Sequence, residues 1–573
     1  MNIPNLRRRF TMINKRTRSF AALLAASALI LSSACSSGNN NENGGNSTSA
    51  PVDSNTPSES STPAANIDPL GKYDPPIEVS VVGTTGSNVL FAEGESIDDN
   101  IMTKKYLEIL GIQFKNEWVS DASQSLEKLN LAINTNNIPD ISKVDLNQLS
   151  RMINQDQVTD LTEAYETYAS PLLRKSMEYG GGAGFAPAKK DGKIYGMPVP
   201  NDYYENVAIM YIRKDWLEKL GLQPPKTIDE LYEVAKAFSE RDPDGNGKAD
   251  TYGIALDNAL GMAFDGVSSA YKAYRATWVK DDSGQLVYGS IQPEMKEALA
   301  KLQDLYAAKA IDQEFGAKDW GKTADDVGAG KGGIYFGAFW QPLYPLSTTM
   351  SHTPDSDWNA YPIPVSADGS LMPKRPNNVF SWMVASKDME HPEALIKSMN
   401  LWAEMWIEGG QYNDLFYKDI QGSPQYAGKE IHQYAKPYFF DDPGKNMVIG
   451  GQFKEAAAKD DGSLVTHPDG VWKWNAYKKN EPNGWAYYKY LLESEGVLAQ
   501  YGDSFVHESY LGAPTETMTK RQASLNKLEL ETFTKIIMGK ADISEFDKFA
   551  SDWKALGGDD ITKEVNAWAS AQQ

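Results

Sequence analysis

The run Asp242-Pro243-Asp244-Gly245-Asn246-Gly247-Lys248-Ala249-Asp250 sets side-chain oxygens at loop positions 1, 3, 5 and 9. Gly247 at position 6 allows the tight turn, and the backbone carbonyl of Lys248 falls at position 7, as in the first three-quarters of an EF-hand calcium loop. Alternate residues of such a loop point inward around a hard cation, and its three carboxylates offset the cost of dehydrating the ion. The twelfth position is Gly253 instead of a bidentate Glu. Binding is therefore expected in the weak extracellular range, about 10⁻⁴ to 10⁻³ M. Residues 251–256, TYGIAL, read as a strand, so the loop is expected to join a helix to a strand and to hold a structural calcium.

A second reactive position is Cys35, the single cysteine of the chain. It follows an apolar run at 20–31, which in turn follows the basic residues Arg7, Arg8, Arg9, Lys15, Arg16 and Arg18. Basic start, apolar stretch and small residues before a cut are the signature of bacterial export, and Leu31-Ser32-Ser33-Ala34-Cys35 resembles a lipidation box. The run is too short to stay as a spanning helix, which needs about 20 apolar residues. Residues 1–34 are thus predicted to be a lipoprotein signal peptide, with lipidated Cys35 as the mature N-terminus. Residues 35–66 are almost wholly Ser, Asn, Gly, Thr, Pro and Ala. They are predicted to be a disordered tether spanning about 30 Å, which holds a folded domain clear of the membrane.

The signal carries six positive charges and no acid, so its removal deepens the net charge from −21 to −27. Such acidity argues against nucleic acid as a partner. The remaining stretch of about 500 residues is too long for one hydrophobic core and suits two lobes. With its thiol lipidated the mature chain forms no disulfide. Its 14 Trp and 29 Tyr exceed the needs of a core.

Local patterns predict strands over 77–82, from 112 and from 141, and helices over 100–110 and 123–134; Gly111 supplies a left-handed stop. Strand and helix alternate, which favours an α/β lobe with a largely parallel sheet. A strand over 207–212 and a helix closed by Gly221 follow. Thr227 and Glu230 then form a capping box before a helix whose buried stripe is Leu231, Val234, Ala235 and Phe238. Trp472 and Trp474, two apart in VWKWNAY, fit a strand with one ring turned toward a ligand.

The segments IYGMPVP, YIRKDWLEKLGL, PKTIDELYEVAKAF and DPDGNGKADTYG, with residues 531–568 near the end, stand in a characteristic order. In them the chain resembles the extracellular solute-binding proteins of family 1, the sugar-binding lipoproteins of ABC importers, and in particular their long oligosaccharide-binding branch. The resemblance implies an α/β, two-lobed periplasmic-binding-protein-like fold of type II with a hinge. It places residues 67–200 and 376–470 in one lobe and 201–375 and 480–573 in the other. Crossings are expected near 198–204, near 380–384 and within 465–485. The C-terminal helices, through Ile543, Phe546, Phe549, Trp553 and Leu556, are expected to pack on the second lobe. The family's similar loop binds calcium.

Sugars present apolar C–H faces rimmed by hydroxyls, so their sites pair aromatic rings with amides, carboxylates and guanidinium groups. Candidates at the expected crossings are Tyr203 and Tyr204, beside Asn201, Asp202 and Glu205, and Trp382. Trp340 in IYFGAFWQP matches the glycine-then-Trp loop that stacks on sugar in the maltose-binding relatives. Trp402, Trp406 and Trp553 read as helix-face packing. The implied partners are an oligosaccharide and the subunits of an ABC permease, for a monomer held on the outer face of the cell membrane by its lipid alone.

Signatures of serine hydrolysis and of helix-borne zinc are absent from the sequence. The five histidines are scattered and read as solvated. Gly328-Ala329-Gly330-Lys331-Gly332-Gly333 has nucleotide-loop spacing but precedes a strand instead of following one, so no catalytic residues are assigned. The alternatives are a secreted glycosidase or lyase, whose paired carboxylates leave no local signature, and a surface receptor that presents ligand to a sensor.

Overall fold

A computed structural model describes residues 67–85, 91–377, 379–426, 431, 440–480 and 483–571. Cys35, the signal and the tether lie outside the described residues.

Ile77–Thr85 buries Val79 and Val81 and pairs in parallel with Ile112–Asp121, Val79 lying opposite Phe114. The helix Ile101–Leu110 joins them. The Asn100 side chain accepts the N–H groups of Met102 and Thr103, at 3.0 and 3.1 Å, which satisfies two of the donors a helix start leaves open. Gly111 closes the helix at φ 67°, and a Cβ there would lie 2.3 Å from the Tyr73 carbonyl oxygen. The Ser80 N–H and hydroxyl both donate to Asp140 at 2.7 Å, linking this pair to Ile141–Val144. That strand lies beside Val379–Ala385, which lies beside Met197–Pro200.

A four-stranded sheet has the order Trp358–Tyr361, Ile209–Arg213, Gly332–Gly337, Tyr252–Ile254. The Thr227–Glu230 capping box starts the helix Ile228–Glu240, whose buried face includes Leu231, Val234, Ala235 and Phe238. The sheets are mixed, which corrects the expectation of largely parallel pairing. Val379–Ala385 runs antiparallel to both its neighbours, and Ile209–Arg213 antiparallel to both of its own. Met197–Pro200 and Trp358–Tyr361 leave their sheets toward a crossing, whereas Ile209–Arg213 and Val379–Ala385 enter theirs from one, so each entering strand runs against the leaving strand beside it.

The hydrophobic residues fall into separate cores. One side draws on 79–199 and 379–440, the other on 207–363 and 449–565. The chain passes between them at 200–207, 363–379 and 440–449. The third passage corrects the expectation of a crossing within 465–485 and moves 449–470 from the first lobe to the second. Its physical cause is that Lys445–Lys459 buries Ile449, Phe453 and Ala456 in the second core.

Residues Pro468–Lys478 form a helix, not the strand expected from two alternating tryptophans. Trp474 packs edge-on against Phe453, whereas Trp472 is half exposed and donates its indole N–H to Asp469 at 3.0 Å. At the C-terminus Phe546, Phe549 and Trp553 join the second core, and Trp553 stacks on Tyr288 at 4.7 Å. Leu556 is exposed, because the wider turn Lys554–Gly558 rotates it off that stripe. Trp402 and Trp406 are buried and stack at 5.3 Å. Among the described residues no helix is long and apolar enough to cross a membrane.

Candidate ligand-binding site

The first crossing leaves the strand Met197–Pro200 and folds back on the third. The Asp441 N–H donates to the Pro200 carbonyl, and the Tyr203 N–H to that of Pro443, each at 3.0 Å. Asp202 is buried in the seam. Its carboxylate accepts the Tyr204 N–H and the Asn446 amide, both at 2.9 Å, and the Tyr490 hydroxyl donates to Asn446 in turn. Burial outweighs these bonds and pushes the Asp202 carboxyl up to about 7.

Tyr203 and Tyr204 are half-buried and meet edge to face at 5.0 Å. Tyr179 lies edge-on to Tyr203 at 5.2 Å, and Phe505 flanks Tyr204 at 5.6 Å. Arg375, from the second crossing, lays its guanidinium 3.6 Å from the centre of the Tyr203 ring. It donates to the Tyr203 carbonyl at 3.4 Å and to His507 Nδ1 at 3.1 Å. The strand Lys374–Arg375 holds it there by parallel pairing with Val506–His507. One face of Tyr203 is therefore taken by Arg375. Burial, and then the Arg375 charge, lower the His507 imidazole to about 4.

Trp340 follows the strand Gly332–Gly337 and is half-buried. A Cβ on Gly337 would fall 1.6 Å from Gln341 Oε1, which itself accepts the Ala338 N–H at 3.1 Å, so a side chain there would push the Gln341 amide off that bond. The turn aims the Trp340 indole at the first crossing, where it donates to Glu205 at 2.8 Å. Burial, reinforced by Asp202 and Asp441, pushes the Glu205 carboxyl up to about 8. Glu495 is buried, with neither oxygen hydrogen-bonded among the described residues, and its carboxyl is also held well above the ordinary range by burial.

Three of the four predicted ring residues, Tyr203, Tyr204 and Trp340, thus reach the crossings. Trp382 is corrected to a core residue. It is 2% exposed, lies among Val144, Leu149 and Val384, and donates its indole N–H to the Gly184 carbonyl at 2.7 Å, leaving no face for a ligand. Two histidines also depart from the solvated reading. His467 is buried and accepts the Asp469 N–H at 3.1 Å, and His507 is half-buried beside Arg375. Sequence reasoning missed Arg375, Tyr179 and Glu495. The sole local sign was a basic pair held between Pro373 and Pro376.

The acidic loop joins the helix Ile228–Glu240 to the strand Tyr252–Ile254. The Asp242 carboxylate accepts the N–H groups of Gly245 and Asn246 at 3.1 Å and of Gly247 at 3.0 Å. The Asn246 amide bridges Asp244 at 2.7 Å and Asp250 at 3.1 Å. These donors fit a hard cation by type and by the curl of the loop, with the Lys248 carbonyl beside them. Among the described residues, though, no three His, Cys, Asp or Glu side chains gather as a metal set. The Asn246 amide stands between two of the carboxylates instead.

A family model described as bacterial extracellular solute-binding protein matches residues 93–399. Lipoprotein LipO of Bacillus subtilis is 25% identical over 493 residues, covering 82% of this chain and 89% of its own. The polygalacturonan/rhamnogalacturonan-binding protein YtcQ of Bacillus subtilis is 30% identical over 228 residues, 38% of this chain and 43% of its own. An EF-hand mutant of the Streptococcus pneumoniae ABC-transporter substrate-binding protein FusA, solved with fructo-nystose, superposes with a TM-score of 0.61. It is 17% identical and covers 87% of this chain and 99% of its own. The alginate-binding protein AlgQ2, solved without calcium ion, gives 0.59 at 16% identity, covering 87% and 99%.

Proposed function

We propose, because the chain belongs to the bacterial extracellular solute-binding protein family, that it captures an oligosaccharide between its lobes and delivers it intact to an ABC import permease. The fold is the two-lobed type II form of these proteins. The observation that carries the ligand class is the junction of Trp340, from the second lobe, with Glu205 on the first crossing. An aromatic ring and a carboxyl group meet there, and that is the pairing a sugar's C–H face and hydroxyls require.

A ligand touching both lobes stabilises the closed form by its differential affinity for that form. Micromolar capture corresponds to about −8 kcal/mol. Calcium at Asp242, Asp244, Asn246, Asp250 and the Lys248 carbonyl has a structural role. Cys35 carries the lipid that keeps the protein at the outer face of the membrane, and the protein performs no chemistry on its ligand. Incubation of the purified protein with an oligosaccharide panel tests this reading. A raised melting temperature with unchanged sugar is expected, and cleaved product would make the protein an enzyme.

A further inference from the structure

We propose that Arg375 anchors a carboxylate of the ligand, which makes the captured solute a uronate-bearing oligosaccharide. The inference rests on the oligosaccharide reading above and narrows its class. Of the other half-buried or buried arginines, Arg213 pairs with Asp215 at 2.5 Å and Arg275 with Glu529 at 2.7 Å, while Arg174 spends its guanidinium on the carbonyls of Ala169, Tyr165 and Glu166, and Arg151 on the Asn130 and Asn134 amides. Arg375 meets no carboxylate at ion-pair distance among the described residues. It touches the face of Tyr203, one carbonyl and one imidazole nitrogen.

A half-buried charge left without a counter-charge is costly, and contact with one ring offsets part of that cost. Burial raises the hydroxyls of Tyr179 and Tyr204 beside it above their ordinary range, so neither supplies a negative charge. The carboxyls of the first crossing, Asp202 and Glu205, are pushed by burial toward their protonated forms near neutrality and so supply little counter-charge. A planar guanidinium favours a carboxylate that can take two parallel hydrogen bonds. Arg375 also sits where the second crossing touches the first. A ligand carboxylate there would be read by both segments, whereas a neutral sugar would leave the charge unmatched.

Calorimetry on the full chain with sodium oligogalacturonate, its methyl ester and neutral xylo- and fructo-oligosaccharides of equal length tests the inference. The acid should bind about ten-fold or more tighter than the ester or the neutral sugars, the worth of a charge-assisted pair. Arg375→Gln should remove that preference at an unchanged melting temperature. Should the variant fail to fold, the acid-against-ester comparison on the unaltered chain decides alone. Ester or neutral sugar bound as tightly as the acid would overturn the carboxylate anchor and leave the oligosaccharide reading standing. An acid preference undiminished in Arg375→Gln would overturn the role of Arg375. Binding of none of the sugars would overturn both readings, as would a glutamate peptide binding where none of them does.

Discussion

Trp340 spends its indole N–H on Glu205 while remaining half-buried, so its ring can meet a ligand without being a pillar of either core. Trp340→Ala is expected to cost about 2 kcal/mol of oligosaccharide affinity, roughly thirty-fold, with little change in melting temperature. Unaltered affinity by calorimetry would remove it from the site. The carboxyls beside it give stability a definite dependence on pH. Asp202 and Glu205 have folded-state values raised to about 7 and about 8. Their contribution is full below the unfolded values near 4 and is lost as pH rises through 7 to 8. His467 and His507, each lowered to about 4, contribute above 6.5 and lose that contribution as pH falls toward 4. Between pH 7.5 and 8.5 the carboxyls still titrate while the histidines are neutral in both states. The melting temperature should therefore fall across that window, and Asp202→Asn with Glu205→Gln should flatten the slope; a flat profile in the unaltered protein would contradict the burial of these groups.

At the scale of elements, the acidic loop ties the helix Ile228–Glu240 to the strand Tyr252–Ile254, the edge strand of the second sheet. Asp242 already accepts three backbone N–H groups, so the turn has the shape of a cation loop, and the Asn246 amide has to rotate to offer its oxygen. Calcium at about 1 mM is expected to raise the melting temperature of chelated protein, by about 0.4 to 1.4 kcal/mol of stability for a dissociation constant of about 10⁻³ to 10⁻⁴ M. Asp244→Ala should abolish the response, and a melting curve indifferent to both chelator and calcium would remove the ion from the loop. The capping box at Thr227 is a purely local device, and it was legible in the sequence for that reason. The helix Pro468–Lys478 was not, because two tryptophans two apart match a strand's period although just one of them, Trp474, is buried.

At the scale of the molecule, three hydrophobic clusters that share no residue, two on one side and one on the other, are joined by three passages, and the first of these carries Tyr203 and Tyr204. The third is secured from both sides. Lys445 lies 4.2 Å from the centre of the Trp406 ring in the first core and 3.2 Å from Asp469 in the second lobe. Hinge motion is the ordinary repertoire of such an arrangement. Small-angle scattering should therefore show contraction at saturating oligosaccharide, absent at the same concentration in Trp340→Ala. Identical profiles with and without bound ligand would count against closure.

Whatever depends on neighbours in sequence was decided by the sequence alone: the stop at Gly111, the cap at Thr227, the turn at Gly247, the buried stripe of Leu231 to Phe238, and the need for more than one core. Helix stops, tight turns and amphipathic faces are set by a few adjacent residues and their backbone preferences. What required the tertiary structure was the choice among residues of one type. Trp340 and Trp382 are equally aromatic and both follow plausible strand signals, yet one meets Glu205 at a crossing and the other is sealed against Gly184. The third passage lies at 440–449 because burial of Ile449 and Phe453 draws that helix into the second core. Arg375 became visible only through the acids it does not meet, since partnership across 172 residues to Tyr203 and 132 to His507 leaves no trace in a local pattern.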